Sequence, residues 1–338
     1  MTEPLLSLRD LSIAYRVGDA DTIAVEGASF DVQPGSIVGL VGESGCGKTT
    51  LARSLTRVLA SNARIAGGQA IFGGQDIMAL PERAMNGLRW REIAFIPQSA
   101  MNSLDPVYTV GSQLSEVLIR RGGMTRGAAR KRSEELFEWV GIETNRLGDF
   151  PHQFSGGMRQ RVAIALALAL DPKLIIADEP VTALDVIVQR QILDQLRALK
   201  ENLGISVILV THDISVVAYV CDRVVVMYAG RVVETGPMAA TLTAPAHPYT
   251  MGLRNAFPDL AGAAGELTPI EGAPPNLAAP PPGCRFAARC PFAQAICTAE
   301  VPDLAIYESD HLAACHRLAE AEALRKLAMS SETWQVPA

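Results

Sequence analysis

Two short stretches of the chain have the residue types and spacing for phosphate chemistry. Residues 42–49 read Gly42-Glu43-Ser44-Gly45-Cys46-Gly47-Lys48-Thr49, with Thr50 next. They follow the spacing GxxxxGK[ST], in which glycines let backbone N–H groups wrap a phosphate chain and the following helix offers its positive end. Lys48 supplies a point charge for the β- and γ-phosphates, and the Thr49 hydroxyl suits Mg2+. The second stretch, Leu174-Ile175-Ile176-Ala177-Asp178-Glu179-Pro180, is a buried-type strand that delivers Asp178 to its end. There Asp178 can hold Mg2+, and Glu179, one residue later, is placed to polarise an attacking water. Together they point to transfer of a phosphoryl group to water.

A different chemistry is available near the carboxy end. Cys284, Cys290, Cys297 and Cys315 share the last 55 residues with the spacing C-x5-C-x6-C-x17-C. Four thiolates near one another suit Zn2+ or an iron–sulfur cluster. Zinc ligands usually come in close C-x2–4-C pairs, and this set has none. His311 and His316 keep zinc open, and four buried thiols without any metal are the simplest alternative. Cys46 and Cys221 stand singly and are expected to be inert. The amino end lacks the basic stretch and apolar core of a secretion signal, so all six cysteines are expected to be reduced.

The elements that must position these residues follow from patterning. Residues 5–41 alternate apolar and polar residues, broken by turns, and Ser36-Ile37-Val38-Gly39-Leu40-Val41-Gly42 is a buried strand that feeds a loop. Residues 51–60 have helical periodicity and complete a strand–loop–helix unit. Residues 82 to about 170 carry helical patterns with no run of obvious strands. The strand patterns at 173–180 and 206–212 flank a helical pattern at 186–204, and 222–236 reads as a hairpin turning at Ala229-Gly230. The strands before residue 82 and after 172 are expected to form one α/β lobe interrupted by a helical insertion. Residues 272–283, rich in proline, are expected to be extended.

The chain has 338 residues, 49% hydrophobic and 20% charged, with a formal net charge of −6. That suits a folded protein of about two domains, and there is no overall basic field to attract nucleic acid. The longest wholly apolar run, Val162 to Leu170, has nine residues, well short of the ~20 of a membrane helix.

Further motifs extend the pattern. Phe154-Ser155-Gly156-Gly157-Met158 precedes a helical run. Gln98 follows a strand, Thr182-Ala183-Leu184-Asp185 follows the carboxylates, and His212 ends the last buried strand. In this order the chain resembles the ATP-binding cassette family over residues 5–240, whose signature is LSGGQ. Here Phe154 replaces the leucine and Met158 the glutamine.

The resemblance implies an α/β fold. It would have a P-loop NTPase (RecA-like) core, an antiparallel β-subdomain, a helical subdomain at about 85–165 carrying the signature, and a carboxy-terminal extension. It implies ATP held by Tyr15, stacked on adenine, and by residues 42–50, with Mg2+ at Thr49, Gln98 and Asp178. Glu179, Gln98 and His212 would be the catalytic residues, Gln98 sensing Mg2+ and water and His212 holding the γ-phosphate. Cassettes would pair head to tail, so that Ser155, Gly156, Gly157 and Asp185 face the partner's ATP.

A narrower resemblance rests on residues 97–106, 177–186, 220–236 and 244–253. The last holds His247-Pro248-Tyr249, and the set is similar to the oligopeptide/dipeptide importer branch, D-type subunit. It implies a cassette over 1–245 and an extension over 246–338. It also implies two membrane permease subunits, a second ABC ATPase (an F-type chain or a second copy), an extracytoplasmic solute-binding protein and no nucleic acid. The chain would sit peripherally on the cytoplasmic face of the inner membrane. Cargoes in the branch are peptides, but also nickel, glutathione and oligosaccharides. Related ATPases with this cysteine set resemble [4Fe–4S] proteins, with Zn2+ as the alternative. The loop at 101–106 is expected to touch the permease. The 107 residues from Lys48 to Ser155 hold one compact helical region. This disfavours a soluble DNA-repair cassette, which would carry a long coiled coil there.

Overall fold

The computed structural model describes residues 3–98, 103–182, 184–255 and 268–334. Their contacts divide into two compact units, one of residues 1–32, 38–78 and 211–338, the other of 33–37 and 79–210.

The first unit begins with β1 (Leu6–Val17) and β2 (Ala20–Val32), which pair antiparallel. Next come β3 (Ile37–Val41), buried at every position, and α1 (Lys48–Ser54), with the phosphate-loop residues between them. Then β4 (Ala63–Phe72) and β5 (Gln75–Asp76) complete a four-stranded sheet in the order β2-β1-β4-β5, antiparallel throughout. The alternation of apolar and polar residues expected of a one-sided sheet is visible in β1, where Leu6, Leu8, Leu11 and Ile13 are buried.

The second unit holds α2 (Glu82–Leu88), β6 (Ile93–Ile96), α3 (Val110–Arg120), α4 (Arg126–Trp139) and α5 (Gly156–Ala167). After these come β7 (Leu174–Asp178), α6 (Val186–Leu203) and β8 (Ser206–Val210). Strands β6, β7 and β8 pair in parallel. The helices expected within 85–165 are present, and β6, a four-residue strand inside the stretch that otherwise reads as helical, is the strand expected before Gln98. By their contacts the strands at 174–178 and 206–210 fall in the same unit as these helices. A parallel pair needs a crossover, and α6 supplies it, capped by Asp185 at one end and by left-handed Gly204 at the other.

The chain then returns to the first unit with α7 (Ile214–Val220), β9 (Arg223–Tyr228) and β10 (Arg231–Pro237). Strand β9 runs parallel to β3, and β9 and β10 form the predicted hairpin. Its turn has φ 46° at Ala229 and 86° at Gly230, the positive pair that a tight two-residue hairpin requires. Helices α8 (Met238–Thr243) and α9 (Pro248–Asn255) follow. Residues 272–283, expected to be extended, lie outside any helix or strand and include a turn at 277–278. Then come α10 (Ala295–Ala299), the strands β11 (Ala305–Glu308) and β12 (His311–Ala313), and α11 (Ala321–Ala328). Strand β12 pairs with β10, which joins the carboxy-terminal segment to the sheet of this unit. No helix among the described residues is long and apolar enough to cross a membrane.

Candidate functional site

The phosphate loop is shaped by two glycines that no other residue could replace. Gly42 has φ 149°, and a Cβ there would lie 2.1 Å from the Met227 carbonyl oxygen. Gly47 has φ 100°, and a Cβ there would lie 2.6 Å from the Ala24 carbonyl oxygen. The loop therefore packs against β9 and β2 at backbone contact distance, leaving Ser44 and Gly45 exposed at its apex. Lys48, 5% exposed, directs its ammonium onto the carbonyls of Gly42 (2.7 Å) and Glu43 (2.9 Å). The Tyr15 hydroxyl lies 3.1 Å from Thr50 Oγ1, so the predicted adenine aromatic stands beside the helix that follows the loop. Thr49 and Thr50 are half-buried in the first turn of α1. Cys46 is enclosed, and burial pushes its thiol up despite the neighbouring Lys48, in keeping with an inert filler.

In the second unit, Asp178 ends β7 with no exposure. Glu179 follows with φ 49°, a left-handed conformation that is costly for a residue with a Cβ and is often found at active sites. Its carboxylate Oε2 accepts from Gln98 Nε2 at 2.8 Å and from the Thr182 hydroxyl at 3.1 Å. Gln98 and Glu179, separated by 81 positions, are thus in direct contact. Thr182 is a third member that sequence reasoning quoted without giving it a part.

The Ser155 hydroxyl caps α5 by accepting from Met158 N–H, and Asp185 caps α6 by accepting from Val188 N–H. A Cβ on Gly157 would lie 2.5 Å from Val188 Cγ1, so the two helix starts are locked together. The two departures from LSGGQ share a partner that sequence reasoning missed. The Arg146 guanidinium lies 4.5 Å over the Phe154 ring and 3.4 Å from Met158 Sδ, and pairs with Asp149 at 2.8 Å. An aromatic face and a polarisable sulfur both suit an arginine. His212 lies two residues past β8 and is exposed. Residues 99–102 and Ala183 lie outside the described residues, and with them the first two residues of the predicted permease loop and one position of the Thr182–Asp185 motif.

The four late cysteines line a single cavity of the first unit. Backbone N–H groups point at every sulfur: those of Phe286 and Ala287 at Cys284, Phe292 at Cys290, Gln294 at Cys297 and Arg317 at Cys315. As thiols, Cys290 is pushed up to about 12 and Cys315 to about 11, chiefly by burial. Among the described residues, no three His, Cys, Asp or Glu side chains converge as one metal ion requires. Zinc would hold its sulfurs about 3.8 Å apart, whereas a four-iron cluster takes one thiolate on each iron, so its ligands need not approach one another. Of the two histidines that kept zinc open, His311 is bonded to buried Glu234 at 2.6 Å and does not line the cavity. His316 lines it with Nε2 3.0 Å from the Glu300 carbonyl oxygen.

The His-Pro-Tyr element is a folding device. Glu234 accepts from the N–H groups of Ala246 and His247. His247 Nδ1 accepts from Tyr249 N–H at 3.0 Å, which satisfies a donor at the start of α9. Burial holds His247 at about 3, hence neutral. Tyr249 packs against Tyr228 (ring centroids 4.6 Å apart) and Phe286 (5.4 Å), and its hydroxyl accepts from Glu43 N–H.

A glycine-shaped phosphate loop, a strand-end carboxylate pair with a bound glutamine, and a serine-capped glycine helix define a nucleotide-hydrolysing cassette. A profile of ABC transporters matches residues 25–182, and one of the oligopeptide/dipeptide transporter C-terminal region matches 233–297. The dipeptide transport ATP-binding protein DppD of Bacillus subtilis is 44% identical over 318 residues, 93% of this chain and 94% of that protein. The oligopeptide transport ATP-binding protein OppD of Salmonella typhimurium is 45% identical over 318 residues, 94% of each. Among solved structures, the dimeric bacterial ABC transporter cassette MJ0796 superposes with a TM-score of 0.63 at 29% identity, covering 69% of this chain and 98% of that one. Its post-hydrolysis dimer with ADP and Pi gives 0.63 at 28%, with the same coverage. The chain belongs to the ABC transporter family and is an ATPase of that family, carrying the carboxy-terminal region of the oligopeptide/dipeptide branch.

Proposed function

We propose that this chain hydrolyses MgATP as one of two cassettes that drive a peptide importer. The observation that carries the reading is that likeness to dipeptide and oligopeptide transport ATPases runs through the extension as well as the cassette. Residues 42–50 would wrap the phosphates, Lys48 exchanging its loop carbonyls for β- and γ-phosphate oxygens, with Tyr15 against adenine. Mg2+, held by Thr49, Gln98 and Asp178, would draw off charge from the leaving phosphate. Glu179 would take the proton of the attacking water, oriented by the hydrogen bonds from Gln98 and Thr182. His212 would hold the γ-phosphate. Ser155, Gly156 and Gly157, at a helix start, would present N–H groups to the partner cassette's γ-phosphate, with Asp185 beside them.

The cassette would occupy residues 1–245 and the extension 246–338. The partners would be two permease subunits, an F-type second ATPase and a solute-binding protein, with the chain peripheral on the cytoplasmic face of the inner membrane. The four cysteines, which line one cavity and take backbone N–H donors at Cys297 and Cys315, would hold a [4Fe–4S] cluster as a structural cross-link, with Zn2+ as the alternative. Chain purified without oxygen would then be brown, with four irons and four sulfides, and would lose its colour on Cys290→Ser. A colourless, zinc-loaded protein would overturn this assignment.

The test of the whole is the set of proteins that comes with this chain when it is extracted gently from its own membranes. Two permeases, a second cassette and a peptide-loaded binding protein are expected. Soluble partners alone, ribosomes or DNA would refute the importer.

A further inference from the structure

The carboxy-terminal segment and the phosphate loop meet at one residue. Every polar group of Glu43 is engaged. Its N–H donates to the Tyr249 hydroxyl at 2.9 Å, and its carbonyl accepts from Lys48 Nζ at 2.9 Å and from Cys46 N–H at 3.3 Å. Its two carboxylate oxygens take Arg289 Nη1 at 3.0 and 2.8 Å. Arg289, the residue before Cys290, is 8% exposed and is itself fixed. Nε donates to the Glu271 carbonyl (2.8 Å), Nη2 to the Ile270 carbonyl (3.0 Å) and Nη1 also to the Tyr228 hydroxyl (3.2 Å).

This arrangement answers an electrostatic problem. A loop that must accept a polyanion carries a carboxylate at its second position, and the repulsion between the two weakens binding unless the charge is offset nearby. Arg289 offsets it in a partly buried setting where solvent screening is weak. The bond from Glu43 N–H to Tyr249 restrains the same residue whose carbonyl orients Lys48. We propose that Arg289, acting through Glu43 and together with Tyr249, is a positioning residue for ATP binding. The cysteine segment then forms part of the phosphate site's support. The inference rests on the assignment of residues 42–50 to the ATP phosphates.

The test uses the full chain and reads Kd for a fluorescent ATP analogue together with KM and kcat for ATP hydrolysis. An uncompensated unit charge about 10 Å from the phosphates weakens binding on the order of tenfold. Arg289→Gln should therefore raise Kd and KM by about tenfold and leave kcat within about twofold. Adding Glu43→Gln in that background should return KM to within about threefold of wild type, because neither charge is then left alone. A purely structural role for Arg289 would lower the active fraction, and with it kcat, and would gain nothing from Glu43→Gln.

Tyr249→Phe, which keeps the ring and removes the acceptor, should raise KM by about threefold, with the modest loss of Tm that an unpaired N–H brings. It stands in if Arg289→Gln fails to fold. KM within twofold of wild type in Arg289→Gln and Tyr249→Phe, or no recovery in the double variant, would overturn the inference. Lys48→Ala separates the two levels. Its loss of ATP binding is expected, and retained binding would refute the phosphate-site assignment itself.

Discussion

Replacing Glu179 with glutamine is the most informative perturbation of the chemistry. The substitution is isosteric and keeps a carbonyl oxygen to accept from Gln98 Nε2 and the Thr182 hydroxyl, which lie 2.8 and 3.1 Å from Oε2. The left-handed backbone at φ 49° is as tolerable for Gln as for Glu, so neither fold nor loop should change. What disappears is a group able to accept the proton of the attacking water. A positioned base is worth about 10²–10⁴-fold, or roughly 3–5 kcal/mol of barrier at 1.36 kcal/mol per decade. ATP binding should be retained, since residues 42–50 lie elsewhere in the chain. The assay is single-turnover hydrolysis of labelled ATP, which isolates the chemical step, run beside nucleotide binding. A fall of at least about a hundredfold in the rate with unchanged Kd is expected. Near-normal turnover would remove Glu179 as the base, and lost binding would show that its role is structural.

Arg146→Ala should destabilise the chain by about 1–2 kcal/mol, since it removes the Asp149 ion pair and the stack on Phe154 together; an unchanged urea midpoint would contradict this. Gly42→Ala should leave little folded protein, because the added carbon meets the Met227 carbonyl oxygen at 2.1 Å; a soluble variant with wild-type Tm would refute the packing account. His247 is neutral in the folded chain at about 3 against 6.5 when unfolded. Its contribution to stability is therefore full above pH 6.5 and lost as pH falls toward 3. His247→Asn, which keeps an acceptor for Tyr249 N–H, should flatten the slope of stability between pH 6.5 and 4; an unchanged slope would assign the acid sensitivity elsewhere.

Local signals carried much of the fold into the sequence. The glycines and Lys48 of the phosphate loop, the apolar run ending at Asp178, and the Ala229-Gly230 turn are each dictated by neighbours within a few residues, and each is found where patterning put it. Strand β6 was reached through motif order, which sets Gln98 after a strand, because four residues, Ile93-Ala94-Phe95-Ile96, are too few to show a period of two inside a helical stretch. Strands β11 and β12 escaped because β11 is largely exposed and has no apolar face to display. The Gln98–Glu179 contact was reachable only through motif order, since side chains 81 positions apart leave no periodic trace. Arg146 and Arg289 were not legible at all. Each acts by a fixed guanidinium geometry toward partners chosen by the fold, and an isolated arginine in a sequence reads as a solvated charge.

The central claim is that ATP hydrolysis by this chain drives uptake of peptides. It is tested most directly by accumulation of a labelled tripeptide in cells whose own copy is replaced either by wild type or by Glu179→Gln. Accumulation with wild type and none with the variant, at equal amounts of protein in the membrane fraction, is the predicted result. Equal accumulation in both, or uptake that persists when the chain is absent, would contradict the account.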